Sequence, residues 1–232
     1  MNNYIFLGTD TSVGKTLVMA GVGRKAHLSG RRVAMYKPVQ SGGARDHTGK
    51  IVYTDADVLS LATGGQQPAQ NIAPLCFEPD IAPFVLMDES GITVTLDDVI
   101  AHFHHLASGH DVVFVEGAGG AAIPLFGETT AVDLLKLLNL VPVIVARTGL
   151  GTINHMLLTL DYLRARGVEP LGVVLTDSAG RNDPSSARNP EYVARLGRTR
   201  ILGVIPNLGD FAESTPPVGV LEQIGALVDM QM

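Results

Sequence analysis

Cysteine, tryptophan and positive charge are what this chain lacks. One of its 232 residues is cysteine (Cys76), none is tryptophan, and aromatic residues make up 5%. A lone cysteine excludes an intrachain disulfide and fits a reducing compartment. Lys and Arg total 17 against 23 Asp and Glu, a formal net charge of −6. Such a chain has no basic field to draw nucleic acid or an anionic membrane surface. Long apolar runs are missing too: stretches such as VPVIVA fall far short of the ~20 residues that span a bilayer. The start, MNNYIFLG, has no basic segment and too short an apolar stretch for a signal sequence. A cytoplasmic protein without membrane or nucleic-acid partners is expected.

Aliphatic residues, 26 glycines and 13 prolines are what the chain has instead. Short apolar runs at 4–7, 33–36, 112–115, 143–146, 171–175 and 201–205 read as strands buried on both faces, with a weaker candidate at 75–77. Helical patterns at 15–29, 56–62, 96–107, 131–138, 153–166 and 218–228 fall between most of them. Thr95 and Thr130 stand where N-caps belong, and Gly30, Gly109 and Gly167 where helices stop. This alternation predicts one doubly wound α/β domain over residues 1–232, with a mostly parallel sheet and helices on both faces. Segments 40–54 and 177–190 read as functional loops.

The stretch GTDTSVGKT, Gly8 to Thr16, follows the first strand and opens the first helix, the setting a phosphate loop requires. Its amides and the helix N-terminus would face one anion, Lys15 would neutralise β- and γ-phosphates, and Thr16 would bind Mg²⁺. Five residues separate Gly8 from Gly14, whereas the usual motif has four between its glycines. A Mg²⁺ ion needs carboxylates at the same rim of the sheet. VEGAGG delivers Glu116 at a strand end, with glycines that let backbone approach a ligand. YTDADVLSL offers Asp55 or Asp57, either of which also reads as a helix N-terminal acid. YKPVQSGG ends another strand with Lys37, suited to stabilise a developing anion or steer a carboxylate.

GTDTSVGKT, YKPVQSG, VEGAGG and GLGTINHMLLT, in this order and spacing, resemble the dethiobiotin synthetase family from residue 4 to about residue 213. The resemblance implies a seven-stranded parallel sheet of P-loop NTPase type and a homodimer. It implies an ATP- and Mg²⁺-dependent cyclo-ligase that carboxylates 7,8-diaminopelargonate with CO₂, phosphorylates the carbamate and closes a ureido ring. By motif, Ser12, Val13, Gly14, Lys15, Thr16 and Leu17 cradle the phosphates, and Thr16, Asp57 and Glu116 hold the metal. Asp57 is preferred because Leu59 and Leu61 after it match the family's helix pattern. Thr11, Lys37 and Ser41 hold the diamine-carbamate end, and Gly117, Ala118, Gly119 and Gly120 finish the pocket. Asn154 and Tyr192 reach the partner subunit's substrate. Thr176, Asp177, Pro206, Asn207, Leu208 and Glu213 line the nucleoside. The five-residue gap becomes the family's own form of the loop, with Thr11 near the substrate.

Three positions depart from the family. Ser12 replaces a frequent acid, Phe84 a frequent histidine, and Thr176 with Asp177 stands where an asparagine reads adenine. Threonine cannot make a bidentate amide contact, so relaxed nucleotide choice is expected. His102, His104 and His105 read as a helix-surface cluster, for no third ligand completes a metal set. A dimeric switch of the partitioning-ATPase type is the competing reading. Those proteins carry a lysine early in the loop, where this chain has Asp10.

Overall fold

The computed structural model describes the chain except residues 1, 46–47, 50, 53, 92–93, 178–182, 210, 212–214 and 231–232. Glu213 lies outside the described residues.

Six strands form the central sheet: β1 (Tyr4–Gly8), β2 (Val33–Tyr36), β3 (Val112–Gly120), β4 (Val141–Arg147), β5 (Gly172–Thr176) and β6 (Ile201–Ile205). All neighbours pair in parallel, in the order β6-β5-β4-β1-β3-β2. Each lies within two or three residues of an apolar run read from the sequence, except that β3 continues through the glycines to Gly120. The seventh strand implied by the resemblance is not part of this sheet among the described residues. The weak candidate forms only Leu75–Cys76, which pairs in parallel with Val39–Gln40 just beyond β2. Pro38 interrupts β2 before that pairing, because proline has no N–H for a ladder.

Nine helices flank the sheet among the described residues: α1 (Lys15–Leu28), α2 (Thr54–Ala62), α3 (Ala69–Ile72), α4 (Pro83–Ser90), α5 (Leu96–Gly109), α6 (Ala131–Leu137), α7 (Thr152–Arg164), α8 (Asn189–Gly197) and α9 (Val218–Leu227). Thr95 and Thr130 cap α5 and α6 through reciprocal bonds with Asp98 and Asp133, the capping-box arrangement that satisfies two orphan donors. Gly30 and Gly167, after α1 and α7, adopt φ of 87° and 72°. Gly109, in contrast, is the last residue of α5, and the stop falls to extended His110. Three helices, α3, α4 and α8, lie where no helical pattern was read, being short or opened by proline.

Alternation along the strands divides the core into two layers. Tyr4, Phe6, Met35, Phe114, Val143 and Val174 face α1, α2 and α9, while Ile5, Leu7, Tyr36, Val115, Ile144 and Leu175 face α5, α6, α7 and α8. Phe114 stacks on Tyr4 at 5.7 Å and meets Phe6 edge-on at 6.1 Å between ring centroids. Helices α1 and α9 touch almost backbone to backbone: a Cβ on Gly225 would sit 2.5 Å from the Gly21 carbonyl oxygen. Among the described residues no helix is long and apolar enough to cross a membrane.

Candidate functional site

Parallel strands all point their carboxyl ends to one rim, and loops leaving that rim carry the polar residues. The chain leaves β1 at Gly8, runs through Thr9–Gly14 as a loop and enters α1 at Lys15. Two residues of this loop adopt left-handed backbone, Ser12 (φ 55°) and Gly14 (φ 86°). Gly8 is irreplaceable on steric grounds. A Cβ there would lie 2.6 Å from the Asp10 carbonyl oxygen, 2.7 Å from that of Gly119 and 2.8 Å from Lys15 Nζ.

The loop is tied to its surroundings at each end. The Thr9 amide donates to the Val145 carbonyl at 3.1 Å and the Ala121 amide to the Gly8 carbonyl at 2.9 Å. Asp10 pairs with Arg147 at the end of β4 and accepts the Thr11 amide at 2.7 Å. The Thr176 hydroxyl, buried at the end of β5, donates to the Val13 carbonyl at 2.8 Å. Thr176 therefore anchors the phosphate loop. In the sequence Thr176 stands out only as a poor reader of the base.

Three cation- or metal-competent groups meet beside the loop. Glu116 is 2% exposed at the rim end of β3's apolar half. Its Oε1 accepts from the Thr16 hydroxyl at 2.9 Å and from Lys37 Nζ at 2.8 Å. Its Oε2 is buried with no hydrogen-bond partner among the described residues. Lys37, one residue past β2, also pairs with Asp55 in the first turn of α2. The acid brought to Lys37 and Glu116 is thus Asp55 rather than the expected Asp57. Asp57 is half-buried and acts with Asp55 on the Cys76 thiol, whose pKa is raised chiefly by burial.

Electrostatics follow from that packing. Burial disfavours charge on Lys37, yet the Glu116 and Asp55 carboxylates outweigh it and raise its pKa. Burial likewise works against the Asp55 carboxylate, but Lys37 holds its pKa below the usual range. Lys15 is different. Burial and the nearby Lys37 lower its pKa to about 8, with Glu116 pulling the other way, and its ammonium donates to the Asp10 carbonyl at 3.2 Å. A buried ammonium with so few partners is suited to an incoming anion.

Two residues that the sequence reading did not assign support this rim. Gln40, fully buried, accepts the Ala56 amide at 3.1 Å and donates to the Thr54 hydroxyl at 3.2 Å, which sets the start of α2 and so the position of Asp55. Arg147 holds Asp10. Gln40 stood inside YKPVQSGG, but nothing in the sequence links it to a helix 16 residues on.

The remaining predicted residues sort by distance from this rim. Gly117, Ala118, Gly119 and Gly120 complete β3 beside the loop, and a Cβ on Gly119 would stand 3.7 Å from the Thr11 hydroxyl. Ser41 is half-buried just past Val39–Gln40. Leu17, Thr176, Asp177, Pro206, Asn207 and Leu208 line an apolar hollow with Ile205 and Phe211. Asn154, in the first turn of α7, and Tyr192, on α8, are exposed and lie outside this hollow.

All donors of the Thr16, Asp55 and Glu116 group are oxygens, the ligand type of Mg²⁺. The unpartnered Glu116 Oε2 leaves a lone pair for such an ion. No group of three or more His, Cys, Asp or Glu gathers among the described residues, so this set suits an ion that also takes phosphate and water oxygens.

Comparison with known proteins gives this geometry its context. A family model described as an AAA domain matches residues 2–215. The ATP-dependent dethiobiotin synthetase of Bacillus subtilis strain 168 is 34% identical over 215 residues, covering 93% of this chain and 91% of that protein. That of Anaeromyxobacter sp. strain Fw109-5 is 38% identical over 213 residues, covering 92% and 93%. Among solved structures, a ParA family ATPase from Chlorobium tepidum TLS has a TM-score of 0.55 at 16% identity, covering 98% of this chain and 91% of that one. The cell division ATPase MinD of Pyrococcus furiosus has a TM-score of 0.53 at 15% identity, covering 97% and 98%. These two likenesses speak for the fold alone. Identity above one third across nearly the whole of both sequences speaks for more, and the chain belongs to the ATP-dependent dethiobiotin synthetase family.

Proposed function

We propose that the rim formed by Lys15, Thr16, Lys37, Asp55 and Glu116 is where this chain closes a ureido ring on 7,8-diaminopelargonate at the expense of ATP. The convergence of a strand-end lysine with two carboxylates beside a phosphate loop carries this reading. One amine of the substrate bonds to CO₂ and loses a proton, giving a carbamate. A carbamate oxygen then displaces ADP from the γ-phosphorus, forming a mixed anhydride. The second amine attacks the carbonyl carbon and expels phosphate, losing its own proton as the ring closes.

In that sequence the chain positions and neutralises. Amides of Ser12, Val13, Gly14 and Lys15 face the phosphates, and the Lys15 ammonium offsets charge on the β- and γ-groups. Lys37 favours the carbamate anion, with Thr11, Ser41 and the amides of Gly119 and Gly120 about it. Thr16, Asp55 and Glu116 would hold Mg²⁺, which supplies charge neutralisation of the transferring phosphoryl group. The apolar hollow between α1 and the end of β6 takes the base. We take the whole chain as one catalytic unit in the cytoplasm, with Cys76 left as a thiol.

A homodimer fits the surface of α7 and α8. Leu150 is 89%, Leu158 62% and Leu196 50% exposed, beside Asn154 and Tyr192. Burying such an apolar group against a second copy would bring those two residues to the partner's substrate. The switch-ATPase reading is disfavoured by the loop, where Asp10 is ion-paired with Arg147.

The test is purified protein given diamine, bicarbonate, ATP and Mg²⁺, with phosphate release and the cyclised product followed by colorimetry and mass spectrometry. Lys15→Ala abolishes both signals. Phosphate release that ignores the diamine, or survives in Lys15→Ala, sinks the reading.

A further inference from the structure

At the opposite rim, where β2 and β3 begin, lies a cavity of about 770 Å³ with an unusual charge. Four of the chain's seven histidines line it, His27, His102, His105 and His110, together with Arg31 and Arg32. Not one Asp or Glu lines it, in a protein whose acids outnumber its Lys and Arg by 23 to 17. The end of α1 supplies His27, the turn before β2 supplies Arg31 and Arg32, and α5 with its C-cap supplies the other three histidines. The remaining wall, from the end of α2 to α3, presents only uncharged side chains.

The bland explanation is that these cations complement the C-terminal ends of α1, α2 and α5, which converge there. Their carbonyls, however, already have local donors. In α1 the carbonyls of Lys25, Ala26 and His27 accept amides of Ser29, Arg31 and Gly30 at 3.1, 3.3 and 2.9 Å. In α2 the Ser60 carbonyl takes the Gly65 amide at 2.9 Å, and in α5 the Leu106 carbonyl takes His110 Nδ1 at 2.7 Å. Asp111 neutralises Arg32 through Nη2 at 2.6 Å and Nε at 3.2 Å. His102 is stacked on Tyr36 with Nε2 at 3.1 Å from the Asn71 carbonyl, so its ring is held facing the cavity wall. The side chains of His27, Arg31 and His105 make no hydrogen bond or ion pair among the described residues. Three cation-capable groups thus share a ligand-sized hollow without a hydrogen-bonded partner among the described residues, Asp111 acting on Arg31 only through space.

We propose that this cavity is a second ligand site, taking a small phosphorylated anion with two or more negative charges. The guanidinium fork of Arg31 suits a phosphoryl group, and imidazoles on two walls can donate to the same oxygens. The site is separate from the phosphate loop, since the two lie at opposite ends of the parallel sheet.

Sodium pyrophosphate is the probe, titrated at pH 6.5 and constant ionic strength into protein labelled with ¹³C in its histidine rings and ¹⁵N in its amides. The rings of His27, His102 and His105 report on the cavity, and the Gly14 amide on the phosphate loop. The expected result is saturable movement of the three rings with a Kd of its own. Arg31→Glu weakens that Kd about tenfold, the loss of one charge-assisted contact, and leaves the Gly14 titration unchanged. Arg31→Gln, which keeps the polar stem, gives a smaller loss in the same direction and guards against a folding artefact. Rings that never saturate, or that track Gly14, overturn the proposal. So does an Arg31→Glu protein that titrates like the parent, for then the cations serve only the helix ends.

Discussion

Lys37→Met is the perturbation that probes the rim most directly. Methionine keeps the unbranched stem, so packing changes little and the loss is that of the ammonium. Lys37 is 6% exposed, and its ammonium bonds both Glu116, 2% exposed, and Asp55. Asp55 is partly open to water and can be resolvated, but Glu116 would keep only the Thr16 hydroxyl as a hydrogen-bond donor among the described residues, with the Lys15 charge nearby. Removing one partner of a buried pair costs about 3–5 kcal/mol. With a urea slope of about 2–3 kcal/mol per M, the unfolding midpoint in EDTA drops by about 1–2.5 M. The double variant Lys37→Met/Glu116→Gln recovers much of this, because the stranded charge is gone, and the cycle isolates their coupling. Chemical denaturation followed by far-UV circular dichroism reads all four proteins. A Lys37→Met protein within about 0.5 kcal/mol of the parent, the range of an ordinary surface change, would refute the reasoning.

Other outcomes follow from the same geometry. Asp55→Asn should raise the Mg²⁺ concentration needed for half-maximal rate more than Asp57→Asn does; the reverse order in metal titrations would return the ligand to Asp57. Nucleotide choice should be broad. The base hollow is lined mainly by apolar side chains, and the Asn207 amide is engaged with the Asp177 carbonyl at 3.3 Å and the Gly209 amide at 2.9 Å. CTP, GTP and UTP should each give kcat/KM within about a hundredfold of ATP, some 2.7 kcal/mol, and strict preference for ATP beyond that range would point to a base reader elsewhere. Thr130→Ala breaks the α6 capping box and should cost about 1 kcal/mol at pH 7. Its side-chain and backbone bonds hold the Asp133 carboxyl below the usual range. A depressed carboxyl stabilises above its unfolded pKa and loses that contribution as pH falls through the folded one. The gap between variant and parent in thermal melts should therefore narrow as pH falls below about 4, leaving the share due to the Asp133 amide's bond to the Thr130 hydroxyl; a gap unchanged in acid rules out the carboxylate as a contributor.

Much of this molecule was legible before folding. Buried parallel strands are almost wholly apolar and helices announce their caps, so the six strands and six of the helices stood out, and Thr95 and Thr130 capped as read. GTDTSVGKT, VEGAGG and Lys37 were legible for a related reason: a glycine-rich turn after an apolar strand has one backbone geometry, and that geometry exposes amides at a rim. Only tertiary structure brings Asp55 to Lys37. Two residues on a helix differ by about 200° in direction, and the register that points Asp55 at Lys37 is set by Gln40, a contact across 16 residues. It also decided that Thr176 holds Val13, and that histidines from α1 and α5 share one cavity with Arg31. Local pattern carries periodicity and caps; which side chains meet across the sheet depends on crossovers that place residues tens of positions apart side by side.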